Sequence, residues 1–87
     1  MSDIIKDIQK NSKEIIRVEV SEFKGMQLIN LRIWFQTIDA NGTIAYKPSQ
    51  KGVTLNITQF NELKDAIDRL EVYIQDKGIQ IDPKKEV

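Results

Sequence analysis

Arg32 and Trp34 stand two residues apart in the segment Leu28-Ile29-Asn30-Leu31-Arg32-Ile33-Trp34-Phe35, so an extended chain turns both to one face. A fixed cation beside a large aromatic is the most informative chemistry in the sequence. Phe23 followed by Lys24 repeats it ahead of Gly25, and Lys47 and Lys51 bracket Pro48 and a polar stretch. Cations neutralise phosphates, and aromatic faces stack bases at ~1–3 kcal/mol per base with little regard to base identity. The pattern therefore points to single-stranded nucleic acid. Each residue also has a plainer role. Trp34 and Phe35 serve equally as core, Phe23 as a cap on the core edge, Arg32 as a surface charge, and the lysines as loop residues. Tyr46 reads as a strand residue.

Composition removes the competing chemistries. The 87 residues contain no Cys and no His. Ser–His–Asp and Cys–His catalysis are excluded, no disulfide forms, and a zinc site would have carboxylates alone. Gly25, Gly42, Gly52 and Gly78 stand singly, so no glycine-rich phosphate loop exists. Glu62, Asp65, Asp68 and Glu71 recur at helical spacing and read as a solvated helix face. A non-enzymatic protein with no cofactor and no metal is expected. At 40% hydrophobic and 30% charged residues, one small globular domain is expected, without a second. No apolar run approaches the ~18 residues of a membrane span, and the N-terminus does not resemble a signal peptide. The net charge of zero hides a mild split: residues 17–56 carry a small excess of cations and residues 57–78 a small excess of acids.

The elements that must position these residues follow from periodicity. Residues 1–14 read as a loosely ordered arm, with Ile4, Ile5 and Ile8 on one face of a short helix and Asn11-Ser12-Lys13 breaking the pattern. Residues 15–23 alternate as a half-buried strand, and residues 26–36 form a second, with Ile29, Leu31, Ile33 and Phe35 facing the core. Asp39-Ala40-Asn41-Gly42 predicts a hairpin, Thr43 to Lys47 a short strand ended by Pro48, and Val53 to Leu55 another after a polar turn. Asn56 with Gln59 predicts a capping box. Phe60, Leu63, Ile67, Leu70 and Ile74 predict a helix over residues 57–77, ended at Gly78, with a polar tail over 79–87. The fold class is α+β: a four-stranded antiparallel sheet followed by one long C-terminal helix. The helix stripe doubles as a heptad seam. With so small a core, it predicts a homodimer through Leu63, Ile67, Leu70 and Ile74.

Three motifs in this order resemble the transcriptional coactivators of the positive cofactor four family. They are Val20-Ser21-Glu22-Phe23-Lys24-Gly25, Leu28-Ile29-Asn30-Leu31-Arg32, and Lys47-Pro48-Ser49-Gln50-Lys51-Gly52-Val53-Thr54-Leu55-Asn56. The likeness spans residues 16–74. It implies a homodimer of curved four-stranded sheets, each backed by a helix, that binds single-stranded DNA without sequence preference. Phe23 matches a base-stacking aromatic, Lys24 a neighbouring basic position, and Arg32 the arginine ending the second strand. Phe35 falls on the second stacking aromatic by counting, whereas strand alternation selects Trp34 as the partner of Arg32. Lys47 and Lys51 match the lysines around the proline. Met26 and Gln50 replace basic residues of the family pattern, and the 36–46 hairpin is about three residues longer. The resemblance implies single-stranded DNA as ligand and the transcription machinery as partners; single-stranded RNA is the alternative ligand. The rival reading is a protein-interaction module on the same fold. Neither places the chain in a membrane. It is expected in the cytoplasm with the nucleoid for a bacterial source, and in the nucleus for a eukaryotic one.

Overall fold

β-Branched alternation carries the middle of the chain into long strands. The computed structural model describes residues 2–81. Its elements are β1 (Ser2–Gln9), β2 (Glu14–Phe23), β3 (Met26–Ile38), β4 (Ile44–Asn56), a 3₁₀ turn (Ile57–Gln59) and α1 (Phe60–Asp76). The strands form one antiparallel sheet in the order β1-β2-β3-β4. The class is α+β as expected, but two of the four strands are not those the sequence suggested.

The first correction concerns residues 1–14. They are not an arm with a helical face. Residues 2–9 form edge strand β1, paired with β2 from Ser2 opposite Ser21 to Gln9 opposite Ile15. A bulge between Ile4 and Lys6 breaks the two-residue alternation. Ile5 and Ile8, three apart, therefore line the same groove, which is the spacing a helix would give. Asn11, read as a pattern breaker, makes the turn. Its Oδ1 accepts from the backbone N–H groups of Lys13 and Glu14, both at 2.9 Å.

The second correction concerns β4. Pro48 does not end a strand, and residues 49–52 are not a turn between two. β4 runs unbroken past them, with Gly52 opposite Arg32 and Pro48 opposite Trp34, so Ser49, Gln50 and Lys51 bulge. Pro48 is tolerated because β4 is an edge strand, where one row of N–H groups has no partner strand. The bulge closes tightly at Gly52. A Cβ there would lie 2.6 Å from the Leu31 carbonyl oxygen and 2.8 Å from the Arg32 Cα.

The β2–β3 turn sets the register of the centre. Lys24 (φ 51°) and Gly25 (φ 79°) both take positive φ, the two-residue turn whose twist matches a hairpin. It places Arg17 opposite Arg32 and Ile15 opposite Trp34. In the β3–β4 connection only Gly42 takes positive φ, not Asn41, and the Asp39 carboxylate closes the loop by accepting from the N–H groups of Asn41 and Thr43.

The helical segment is closed at both ends, by a capping box on the 3₁₀ turn and by a left-handed glycine after α1. Asn56 Oδ1 accepts from Thr58 N–H at 3.0 Å, and Gln59 Oε1 accepts from Asn56 N–H at 3.0 Å. At the other end Ile79 N–H reaches the Ile74 carbonyl and Gly78 N–H the Gln75 carbonyl, with Gly78 left-handed at φ 65°. Lys64–Asp68 (3.1 Å) and Arg69–Asp65 (2.9 Å) pair along the exposed face. Residues 79–81 follow without regular structure, and the rest of the expected tail lies outside the described residues.

Burial is sparse. Among the described residues only Ile15 and Ile29 are buried hydrophobics, and no helix residue is buried. The helix does not cover the sheet by itself. It leaves an apolar groove of about 620 Å³ lined by Ile5, Ile8, Val18 and Leu31 from the sheet, and by Phe60, Leu63 and Ile67 from the helical segment.

Candidate nucleic-acid interface

Register sorts the candidate residues onto two faces. Pairing puts Ile15, Arg17, Trp34 and Arg32 on the sheet face away from the groove. Phe35 alternates to the groove face, with Glu14 opposite it on β2 and Lys47 opposite it on β4. The bulge lies in β4, so β3 alternation is unbroken and Trp34 and Phe35 stay on opposite faces.

Trp34 is already engaged. The Arg17 guanidinium lies over its ring, 4.4 Å from the centroid. Arg17 is held in turn by Asp7 of β1, with Nε donating to Oδ1 at 2.8 Å and Nη2 to Oδ2 at 3.1 Å. This fork lowers the Asp7 carboxyl below the usual aspartate range and raises the guanidinium above its own. The indole Nε1 is buried without a partner. Arg32 is half-buried and donates from Nη1 to the Ser49 carbonyl at 3.1 Å, pinning the β4 bulge. Trp34 and Arg32 thus both have contacts that hold the sheet together.

Phe23 and Phe35 are differently placed. Phe23 is 56% exposed at the tip of the β2–β3 hairpin, with the Lys24 ammonium 5.3 Å from its ring centroid. Phe35 is 39% exposed, beside Lys47 in register. Lys51 rides on the β4 bulge, where its backbone N–H donates to Ser49 Oγ at 3.1 Å. The two aromatic–cation groups lie at opposite ends of β3 and on opposite faces, so one protomer does not gather them into a single cluster.

Two groups near the site escaped the sequence reading. Arg17 became legible only once the Lys24-Gly25 turn fixed the register, since a two-residue turn requires Arg17 to face Arg32. Glu14 lies among cations: its Oε1 accepts from Asn11 Nδ2 at 2.8 Å and sits 3.5 Å from Lys10 Nζ. The Asn11 hydrogen bond holds its carboxyl below the usual glutamate range, against partial desolvation, and the charges of Lys10 and Lys51 add to the effect.

The family model of Transcriptional Coactivator p15 (PC4) matches residues 10–66, more than half the chain. The chain belongs to the PC4 family. The fold is shared by solved structures at low identity. A PC4 homolog from Burkholderia pseudomallei superposes with a TM-score of 0.68 at 15% identity, covering 82% of this chain and 98% of that one. A second crystal form gives 0.67 at 17%, covering 80% and 89%. The bacteriophage T5 homolog of the eukaryotic coactivator PC4, implicated in recombination-dependent DNA replication, superposes at 0.59 with 19% identity, covering 90% and 82%. The matched segment holds β2, β3, β4 and the start of α1, and β1 precedes it.

Proposed function

We propose that this PC4-family protein binds single-stranded DNA without sequence preference, as a homodimer, in transcription or in DNA replication and recombination. The observation that carries the reading is the pair of exposed aromatics, Phe23 and Phe35, each beside a lysine. An aromatic face next to a mobile cation is what a base and its phosphate require, and neither group asks for a particular base. Phe35, with Lys47 and Lys51, is the second stacking platform. Trp34 is assigned to the fold, because Arg17 covers its ring.

Dimerisation is supported by surface. The chain exposes 7378 Å². A compact monomer of 10.1 kDa would expose about 5300 Å². Its radius of gyration is 15.7 Å, against about 12 Å for a compact chain of this length. The apolar stripe of α1 accounts for part of the excess, with Ile67 56% and Leu70 55% exposed. A second copy seated on that stripe, through Leu63, Ile67, Leu70 and Ile74, buries it.

Fluorescence anisotropy of a labelled oligo(dT) of ~20 nucleotides tests the reading, against matched duplex and single-stranded RNA over a salt series. Expected are tight binding to oligo(dT), weaker binding to duplex, and a log–log salt slope of about −0.7 per neutralised phosphate. Phe35→Ala is expected to weaken strand binding by ~1–3 kcal/mol with the fold intact. Trp34→Ala is expected to destabilise the fold instead, by ~3 kcal/mol. Absence of binding to all three nucleic acids at low salt would move the function to a protein partner. RNA binding as tight as DNA binding would move it to RNA.

A further inference from the structure

Glu14 opens β2 directly opposite Phe35, the residue read above as a base platform. An acid there is out of keeping with a phosphate-binding end, yet its surroundings are those of a bound anion. Asn11 gives its Oδ1 to two backbone N–H groups, which fixes the amide orientation and leaves Nδ2 as a donor aimed at Glu14 Oε1. Lys10 approaches the same oxygen from the loop, with Nζ 3.5 Å away. One oriented amide donor and one ammonium group form a set that would receive a phosphodiester oxygen.

We propose that Lys10 and Asn11 form a backbone-phosphate subsite beside Phe35, and that the Glu14 carboxylate occupies it as a stand-in anion until a nucleic-acid strand displaces it. The proposal rests on the single-strand reading and deepens it. Displacement is cheap, because the Lys10–Glu14 pair is long and each side chain is a third exposed. The β1–β2 loop lies beside the platform, since Gln36 N–H, one residue past Phe35, donates to the Lys13 carbonyl at 2.8 Å. A strand stacked on Phe35 and running toward this loop meets the subsite one phosphate along. Free protein thereby keeps the Lys10 ammonium paired.

The test is oligo(dT) anisotropy over a salt series with wild type, Glu14→Gln, Lys10→Ala and the double variant. Gln keeps an oxygen for Asn11 but drops the charge. Glu14→Gln is expected to tighten binding about three- to tenfold and to steepen the salt slope by about 0.7, one further phosphate. Lys10→Ala is expected to cost less than about twofold in wild type and to cancel the gain in the Glu14→Gln background. Such a dependence of one substitution on the other is the mark of a shared site. Unchanged affinity and slope in Glu14→Gln would overturn the subsite while leaving single-strand binding intact. So would a gain that survives Lys10→Ala, which would mean that any lost negative charge suffices. If neither wild type nor Glu14→Gln binds the strand, both readings fall. In wild type the Asn11 side-chain amide resonances are expected to move on titration with oligo(dT), and fixed resonances under saturating strand would also overturn the subsite.

Discussion

Lys24 is the one described non-glycine residue with positive φ, at 51°. The left-handed region costs an L-residue of this kind about 1–2 kcal/mol, and Asn or Gly fits it far better. A turn selected for hairpin stability alone would have Asn-Gly, the pair this chain uses at Asn41-Gly42, where Asn41 does not need it. Keeping a lysine at the strained position accords with a role for its ammonium beside Phe23. Lys24→Asn is therefore expected to raise Tm, with a gain of up to about 1 kcal/mol. It is also expected to weaken oligo(dT) binding and to flatten the salt slope by about 0.7, one lost phosphate contact. An unchanged slope would remove Lys24 from the interface whatever the effect on Tm. The candidate residues were legible as types. Phe23, Lys24, Phe35, Lys47 and Lys51 stood out as aromatics and cations on turns and strands. Which of Trp34 and Phe35 carries a cation on its ring was not legible, because it depends on Arg17 crossing from β2 to cover Trp34, and that contact exists only at one register.

At the scale of elements, the order of motifs was enough to place β2, β3 and the capped helix. What misled was bulges. A bulge at Ile5 turned an alternating strand into helical spacing, and a bulge at Ser49–Lys51 made one edge strand look like two strands and a turn. Neither leaves a local mark, since both are defined by the partner strand. β1 is the element with least to hold it: all eight of its residues are exposed, and Asp7–Arg17 is its ion pair with β2 among the described residues. Its Asp7 carboxyl is lowered in the folded protein, so this tie contributes fully above the ordinary aspartate value of about 3.8 and is lost as pH falls through the lowered one. Acidification is therefore expected to free β1 before the β2–β3 hairpin, read as loss of hydrogen-exchange protection at the β1–β2 pairing. Asp7→Asn is expected to show that weakened protection already at neutral pH and to lose its pH dependence there. Equal protection of wild type and variant at every pH would mean that backbone pairing alone holds the strand.

The whole molecule is a thin, open body of 49 × 38 × 18 Å with two buried hydrophobic side chains among its described residues, too little core for an independent domain. In the proposed dimer a second copy offers the same α1 stripe in return, the self-complementary condition of a two-fold interface. Leu70→Asp separates this from a monomer. Leu70 is 55% exposed in one protomer, so in a true monomer its replacement would change stability by no more than about 0.5 kcal/mol. In a dimer it buries a charge against apolar side chains, and the variant is expected to sediment as a monomer and to lose the concentration-dependent Tm of the wild type. A wild type that sediments as a monomer at tens of micromolar, with Leu70→Asp equally stable, would defeat the dimer. The same variant bears on function. One protomer places Phe23 and Phe35 at opposite ends and on opposite faces of the sheet, so under the proposed function a strand would engage both sets efficiently only when two protomers present them together. Linked sites gain affinity through effective concentration without any new contact. Monomeric Leu70→Asp protein should therefore bind ~20-nucleotide oligo(dT) at least tenfold more weakly, while its affinity for a strand of about four nucleotides, long enough for one platform only, stays near that of wild type.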